Sequence, residues 1–225
     1  MRYFCLFLVF VLATSARALE QNAPDKAVCS VCALKGGESE AEKVRAQSVY
    51  EGISYYFCAD GCKKEFDSDP TAFMPSTLPR PAPAFVVETL KGEDVTLKTF
   101  ENKMLLIDFW ATWCKPCIEM MPNLQRLHNA YSDKGLTVIG VSVDEEKDRI
   151  QKIEKFVNRL EVAYPILLDA KPVPAWHMFK VKAIPALFLI DGTGQVVAQW
   201  RGKIDHERVE AEILNRLENT GKSEN

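Results

Sequence analysis

The chain has 225 residues, 28 Lys plus Arg against 31 Asp plus Glu, and a formal charge of −3; 47% of it is apolar and 26% charged. This is the balance of a soluble globular protein with room for one ordinary domain and a small one. The acidic excess argues against nucleic acid as a partner, and after the N-terminus no stretch approaches the roughly 20 apolar residues of a membrane span.

Residues 1–18 read as a secretory signal peptide: Arg2, then the apolar run 3–13, then Thr14-Ser15-Ala16-Arg17-Ala18 with its small-x-small end. Cleavage after Ala18 removes two Arg and takes the formal charge to −5. An uncleaved anchor is the alternative, because Cys5 and the aromatics make the stretch sticky, and no Cys follows where lipoprotein processing needs one. Cleavage also removes Cys5 and leaves six Cys, all in pairs: Cys29/Cys32, Cys58/Cys62 and Cys114/Cys117.

Residues 24–75 form a small Cys-rich module. Cys29-x-x-Cys32 and Cys58-x-x-x-Cys62 can converge on one tetrahedral ion, and thiolates suit Zn(II) or Cu(I). One or two structural disulfides are the rival reading in an oxidising compartment. About 50 residues bury little core, so a staple of either kind is expected. The acidic run Glu38-Ser39-Glu40-Ala41-Glu42 reads as solvated loop. Four Pro between positions 75 and 83 exclude helix and favour extended geometry, so residues 76–83 read as a stiff linker.

Residues 84–220 alternate strand and helix. A hairpin is expected at 85–90 and 94–97 around Lys91-Gly92-Glu93, and a buried strand over 103–110. A helix over 117–130 carries Met121, Leu124, Leu127 and Tyr131 on one face. A strand at 136–143, a helix at 145–160, a short strand at 164–168, a hairpin from 186–190 and 195–200, and a closing helix at 206–217 complete the pattern. It predicts a mainly parallel sheet covered on both faces, with an antiparallel pair at one edge.

Cys114-Lys115-Pro116-Cys117 falls where the buried strand gives way to the helix. Unfilled N–H groups there favour a thiolate, and Lys115 adds positive charge. Cys114 is expected to be exposed and to attack, Cys117 to be more buried and to resolve the mixed disulfide. C-x-x-C also serves zinc, but a second ligand pair is lacking in this domain, and His128, His177 and His206 are scattered.

The run Asp108–Leu124, DFWATWCKPCIEMMPNL, with VIGVSVD at 138–144 and VKAIPALFLIDGTGQV at 181–196, resembles the thioredoxin superfamily, and within it the TlpA/ResA type of exported thiol–disulfide oxidoreductase. The resemblance implies a thioredoxin fold and a reductase of protein disulfides needing no redox cofactor. It also implies a periplasmic location, protein thiol clients in metal handling or cytochrome assembly, and a membrane electron donor. It makes Ile184-Pro185 a cis-proline loop facing the cysteines, with Ile184 pairing a substrate peptide; an ordinary trans turn is the alternative. Asp108 matches the buried acid that moves a proton to or from Cys117, with a raised pKa; a strand-end Asp bonded to backbone is the plainer reading. Where many relatives carry Glu three residues after the second Cys, this chain has Met120, with Glu119 beside it facing solvent. Trp110 and Trp113 pack core and shield the site, with substrate contact a second role for Trp113.

The pattern F-C-x-x-x-C-x-x-x-F followed by Asp69-Pro70 and Phe73 resembles a YHS or TRASH-type module, a treble-clef-like fold associated with heavy metals. With it comes an alternative function, a copper or zinc chaperone or resistance protein whose thioredoxin domain maintains the thiols of Cys29, Cys32, Cys58 and Cys62.

Overall fold

The computed structural model describes residues 23–35, 40–74, 77–169 and 172–220; the expected signal peptide lies outside them. In the N-terminal module β1 (Lys26–Ala27) pairs with β2 (Glu42–Lys43), and α1 (Ser30–Leu34) lies between them. β3 (Ala46–Tyr50) and β4 (Ile53–Phe57) form a hairpin whose turn needs the left-handed conformation at Glu51 and Gly52. α2 (Asp60–Ser68) covers it. Phe66 is the pivot of this small core, with the rings of Tyr55, Phe57, Phe73 and Tyr50 at 4.7, 5.1, 6.1 and 6.5 Å.

The larger domain is built on one eight-stranded sheet. Its strands are β5 (Arg80–Pro81), β6 (Val86–Thr89), β7 (Asp94–Thr96), β8 (Met104–Trp110), β9 (Leu136–Ser142), β10 (Ile166–Asp169), β11 (Ala186–Ile190) and β12 (Gln195–Arg201). The order across the sheet is β5-β12-β11-β8-β9-β10-β6-β7. The helices are α3 (Lys115–Tyr131), α4 (Arg149–Arg159), α5 (Ala175–Met178) and α6 (His206–Thr220). This is the expected mixed α/β architecture of thioredoxin type.

The strand directions correct the expectation of a mainly parallel sheet. Among the described residues only β8/β9 and β9/β10 pair in parallel; the other five pairings are antiparallel. Alternation of strand and helix implies a parallel return only if the helix spans the sheet. The 11 residues of α4 rise about 16 Å and return the chain. The four residues of α5 do not, so the chain re-enters from the same end and β11 runs against β8.

β8 is buried on both faces. Leu106 and Trp110 face α3, α4 and α6 in one cluster, while Leu105, Ile107 and Phe109 face α5 and the phenylalanine cluster of Phe85, Phe179 and Phe188. The proline-rich segment does not stand off as a spacer. Arg80 and Pro81 pair with Val196 and Gln195 at the sheet edge, where a missing N–H is tolerated, and the Ala82 N–H donates to the Gly194 carbonyl at 2.9 Å.

The module rests on the larger domain through cations reaching the turn that follows α2, residues 69–72. Arg201 donates to the Ala72 carbonyl at 2.9 Å, Lys180 to Thr71 Oγ1 at 2.6 Å, and Lys182 lies 3.4 Å from the Asp69 carboxylate.

β9 passes beneath bulky side chains at Gly140. A β-carbon there would meet Ile166 Cδ1 at 2.7 Å, Trp110 Nε1 at 3.1 Å and Tyr164 Cε2 at 3.2 Å. Gly140→Ala is expected to cost about 1–3 kcal/mol through overpacking, measured as a lower urea midpoint with unchanged m-value.

Candidate functional site

The redox pair is assembled by the passage from β8 into α3. Cys114 is the N-cap of α3, extended in backbone, and its sulfur accepts the Cys117 backbone N–H at 3.3 Å. Cys114 and Cys117 are joined as a disulfide, with α-carbons 5.3 Å apart. The first turn of the helix therefore points the Cys117 N–H at the sulfur, which favours the thiolate once the pair is reduced. Lys115 contributes less than expected, because its ammonium is largely in solvent and lies 3.7 Å from Glu119.

The expectation of an exposed Cys114 needs correcting. Cys114 is 5% accessible and Cys117 is fully buried. The order holds, so attack from outside reaches Cys114 first, but the disulfide sits in a crevice. Trp113 departs the other way: it is 65% exposed and packs no core, whereas Trp110 is fully buried. Cys114 follows a turn closed onto the Ala111 carbonyl, and that turn swings the intervening indole outward.

Trp113 lines a groove of about 640 Å³ with Val143, Trp176, Val181 and Ile184, flanked by Glu145, Glu146 and Lys182. The Ile184–Pro185 peptide bond is cis. A larger hollow of about 1090 Å³, lined by Leu97, Leu105 and Ile190, lies at the opposite end of the strands and holds none of the cysteines.

Asp108 is completely buried, between Leu106 and Trp110 on the face of β8 that carries α3. Neither carboxyl oxygen has a hydrogen-bond partner among the described residues, which removes the reading of a strand-end Asp bonded to backbone. Burial raises its pKa to about 8.

Two carboxylates at this end of the sheet carried no expectation in the sequence. Asp144, buried just beyond β9, accepts the Thr112 N–H at 2.9 Å, the Thr112 hydroxyl at 2.7 Å and the Ser142 hydroxyl at 2.8 Å. It pins the loop that delivers Cys114. Asp169 accepts the Ala175 and Trp176 N–H groups at 2.6 and 3.1 Å and so sets Trp176 in the groove wall. The signal for Asp144 was a charge closing a buried apolar strand; Asp169 had none.

The second sulfur site is in the module. Cys29 precedes α1, Cys32 is within it, Cys58 follows β4, and Cys62 lies one turn on in α2. The four are free thiols whose sulfurs all lie within 4.8 Å of one another. Cys32 Sγ is 3.4 Å from Cys58 Sγ and 3.8 Å from Cys62 Sγ, and Cys58 and Cys62 are 3.8 Å apart. Bonded sulfurs would be about 2.0 Å apart; four thiolates about 2.3 Å from one tetrahedral zinc would be about 3.8 Å apart. The donor set fits a metal. Burial, then crowding by Cys29 and Cys62, pushes the Cys32 thiol up to about 11. Glu42, expected as solvated loop, is exposed but falls in β2, and after Cys32 and burial it helps to raise the Cys58 thiol.

A family model described as "AhpC/TSA family" matches residues 78–199, and one described as "YHS domain" matches residues 41–77. The chain belongs to the AhpC/TSA family. It is 34% identical over 136 residues to the thiol-disulfide oxidoreductase ResA of Bacillus thuringiensis, a match covering 60% of this chain and 76% of that protein. Among solved structures it resembles a Chlorobium tepidum protein assigned as thiol:disulfide interchange protein DsbE. That match has a TM-score of 0.57 and 29% identity, and covers 64% of this chain and 99% of the other. A thiol:disulfide interchange protein from a Bacteroides species gives 0.53 and 29%, covering 61% and 91%. This AhpC/TSA member is a thiol–disulfide oxidoreductase of the ResA/TlpA kind, fused to a YHS domain, and its family acts on protein thiols.

Cys114→Ser is expected to abolish disulfide exchange in an insulin-reduction assay. Cys117→Ser is expected to accumulate mixed disulfides, seen as client adducts on non-reducing gels. Full turnover in either variant would remove the pair from the chemistry.

Proposed function

We propose that the protein is an exported reductase of protein disulfides, with Cys114 as nucleophile, Cys117 as resolving thiol and Asp108 as the base that serves it. The observation that carries this reading is the oxidisable Cys114–Cys117 pair at a helix N-terminus, beside a groove walled by Trp113 and Ile184. Reduced Cys114 attacks a client disulfide as thiolate and forms a mixed disulfide. The Cys117 thiol gives its proton to the Asp108 carboxylate and attacks the Cys114 sulfur, releasing the client as a thiol. The protein is left oxidised by two electrons, which a membrane thiol donor restores. The cis Ile184–Pro185 loop offers backbone to an extended client segment, and Trp113 and Trp176 hold its apolar side chains. The periplasm is the matching compartment, because the N-terminal segment 1–18 has the make-up of a secretory signal. Clients in metal handling or cytochrome assembly agree with the fusion to a YHS domain.

A second reading, a copper or zinc chaperone, is favoured by the four convergent sulfurs of the module. Cys29, Cys32, Cys58 and Cys62 would hold Zn(II) or Cu(I), which would supply the cross-link that a core of this size lacks.

Asp108→Asn tests the first reading. An amide cannot take the Cys117 proton, so turnover is expected to fall most at mildly acidic to neutral pH. Stability should move the other way. A carboxyl whose folded pKa is raised to about 8 is most favourable to the fold while protonated, and its contribution is lost as pH rises from its unfolded value to 8. The gain from Asn should therefore grow between about pH 4 and 8, by up to about 1.4 kcal/mol per pH unit, measured by denaturation of the oxidised protein. An unchanged pH–rate profile would make Asp108 structural only.

For the module, anaerobically purified protein is expected to carry about one Zn(II) or Cu(I) with four blockable thiols. Replacing Cys58 and Cys62 together with Ser should abolish binding while insulin reduction persists. Loss of insulin reduction would favour the chaperone reading, and stable disulfides without metal would refute the metal site.

A further inference from the structure

The orphaned atoms in the core converge on one place. Tyr164 is 2% exposed, yet its hydroxyl has no hydrogen-bond partner among the described residues; the same is true of Trp110 Nε1 and both Asp108 oxygens. Asp108 lies directly opposite Gly140 in the β8/β9 register. Tyr164 Cε2, next to the ring carbon that bears the hydroxyl, is 3.2 Å from where a Gly140 β-carbon would sit, and Trp110 Nε1 is 3.1 Å from it. The missing side chain at Gly140 thus lets a phenol and an indole close over the strand position facing the carboxyl.

A buried hydroxyl with no partner destabilises a fold, and Phe would fill the same volume without that cost. Packing alone therefore does not explain a tyrosine here. An ionised Asp108, shut off from water, needs donors; the Tyr164 O–H and the Trp110 N–H are unpartnered on the same face, and since neither bonds the carboxyl in this structure, a donated bond requires a local shift when Asp108 ionises.

We propose that Tyr164 is a positioning residue for Asp108, its hydroxyl turning to donate to the carboxylate once Asp108 ionises, so that the carboxylate can exist long enough to accept the Cys117 proton. The proposal rests on the reading of Asp108 as the base for Cys117. The tyrosine keeps its own proton throughout: burial first, and then the charge of Asp108, push its ionisation above the usual phenol range. The balance of the step is otherwise as described. The proton passes from Cys117 sulfur to Asp108 oxygen, the Cys114–client bond breaks as the Cys114–Cys117 bond forms, and Asp108 later returns its proton to solvent.

Other ionisable groups around the pair are few. α3 contributes the two cysteines and His128, whose ring centroid is 6.4 Å from that of Tyr164, and Tyr131, which donates to Glu210 of α6. Glu210 is also bonded by Arg126 of α3. β9 presents Gly140 and β11 presents Leu187 opposite Asp108, neither of which titrates; α4 contributes the buried Ile153.

The test is Tyr164→Phe in the full-length protein beside Asp108→Asn. The readouts are the pH dependence of mixed-disulfide resolution in single turnover, the carbon-13 titration of the Asp108 carboxyl, and stability to urea. Loss of the donor should raise the Asp108 pKa and move the rising limb of resolution up by about one pH unit, with resolution at pH 7 slowed about 5- to 10-fold. Stability should be unchanged or higher. If the limb and the titration stay in place or move down in Tyr164→Phe while Asp108→Asn still alters the profile, the role of Tyr164 is overturned and Asp108 keeps its own. If Asp108→Asn leaves the profile unmoved as well, the reading of Asp108 falls with it. A less stable Tyr164→Phe with an unmoved profile also overturns the proposal, since the hydroxyl would then be structural.

Discussion

The redox end of the sheet depends on the carboxylate of Asp144. It stands just past β9, buried, and gathers the amide and hydroxyl of Thr112 together with the hydroxyl of Ser142. Thr112 lies in the short link between the end of β8 and the cap of α3, so this one group ties the link to the neighbouring strand. A charge-assisted set of three donors is strong in a buried site. Without it the link would be free to carry the cap and first turn of α3, with Cys114 and the Cys117 N–H aimed at its sulfur, away from β8. The position of the disulfide at this end of the sheet follows from where that turn is held.

The same region carries a cost. A carboxyl, an indole N–H and a phenol sit without partners among the described residues on the face of the sheet that packs under α3. An apolar residue at position 108 would make a better core. The fold tolerates the acid because β8 is the central strand, hydrogen-bonded on both sides and covered by two large clusters. Stability is surplus there, and the protonation state can be set by burial rather than by an ion partner. The edges show the opposite economy: β5 is two residues with a proline, and β7 is three.

Much of this was legible in the sequence, because local signals and global fold agree over most of the larger domain. The buried run of β8, the amphipathic α3 and the hairpins at Gly92 and Gly194 are each dictated by spacing and turn chemistry. Misreadings arose where tertiary geometry decides. Strand direction at β11 depends on how far a four-residue helix carries the chain, which periodicity does not encode. The exposure of Trp113 depends on a turn, and the burial of Cys114 on what packs around the crevice. Residues 80 and 81 look like spacer because proline forbids a central strand, yet an open edge accepts them. The convergence of Cys29, Cys32, Cys58 and Cys62 was expected from spacing, but Glu42 beside Cys58 was not, since β2 is only two residues long. The orphaned hydroxyl of Tyr164 was invisible, for nothing in a sequence says that a tyrosine lacks a partner.

Two sulfur sites on one chain need different surroundings. At Cys114 a helix N-terminus supplies partial positive charge fixed in the backbone, enough for one thiolate and no more. In the module the short α1 and α2 bring four sulfurs together, and Glu42 helps to raise the Cys58 thiol. Burial raises the Cys32 thiol and the contact with Cys32 raises that of Cys58, whereas at Cys29 burial is outweighed by backbone hydrogen bonds, which lower it, so four thiolates together call for a divalent or soft monovalent ion. Protonated thiols are slow nucleophiles. That holds for Cys32 and Cys58, and a bound ion would withdraw all four sulfurs from competing with Cys114 for client disulfides. Separation of the two chemistries is achieved by electrostatics at each site, while Arg201, Lys180 and Lys182 hold the two modules side by side.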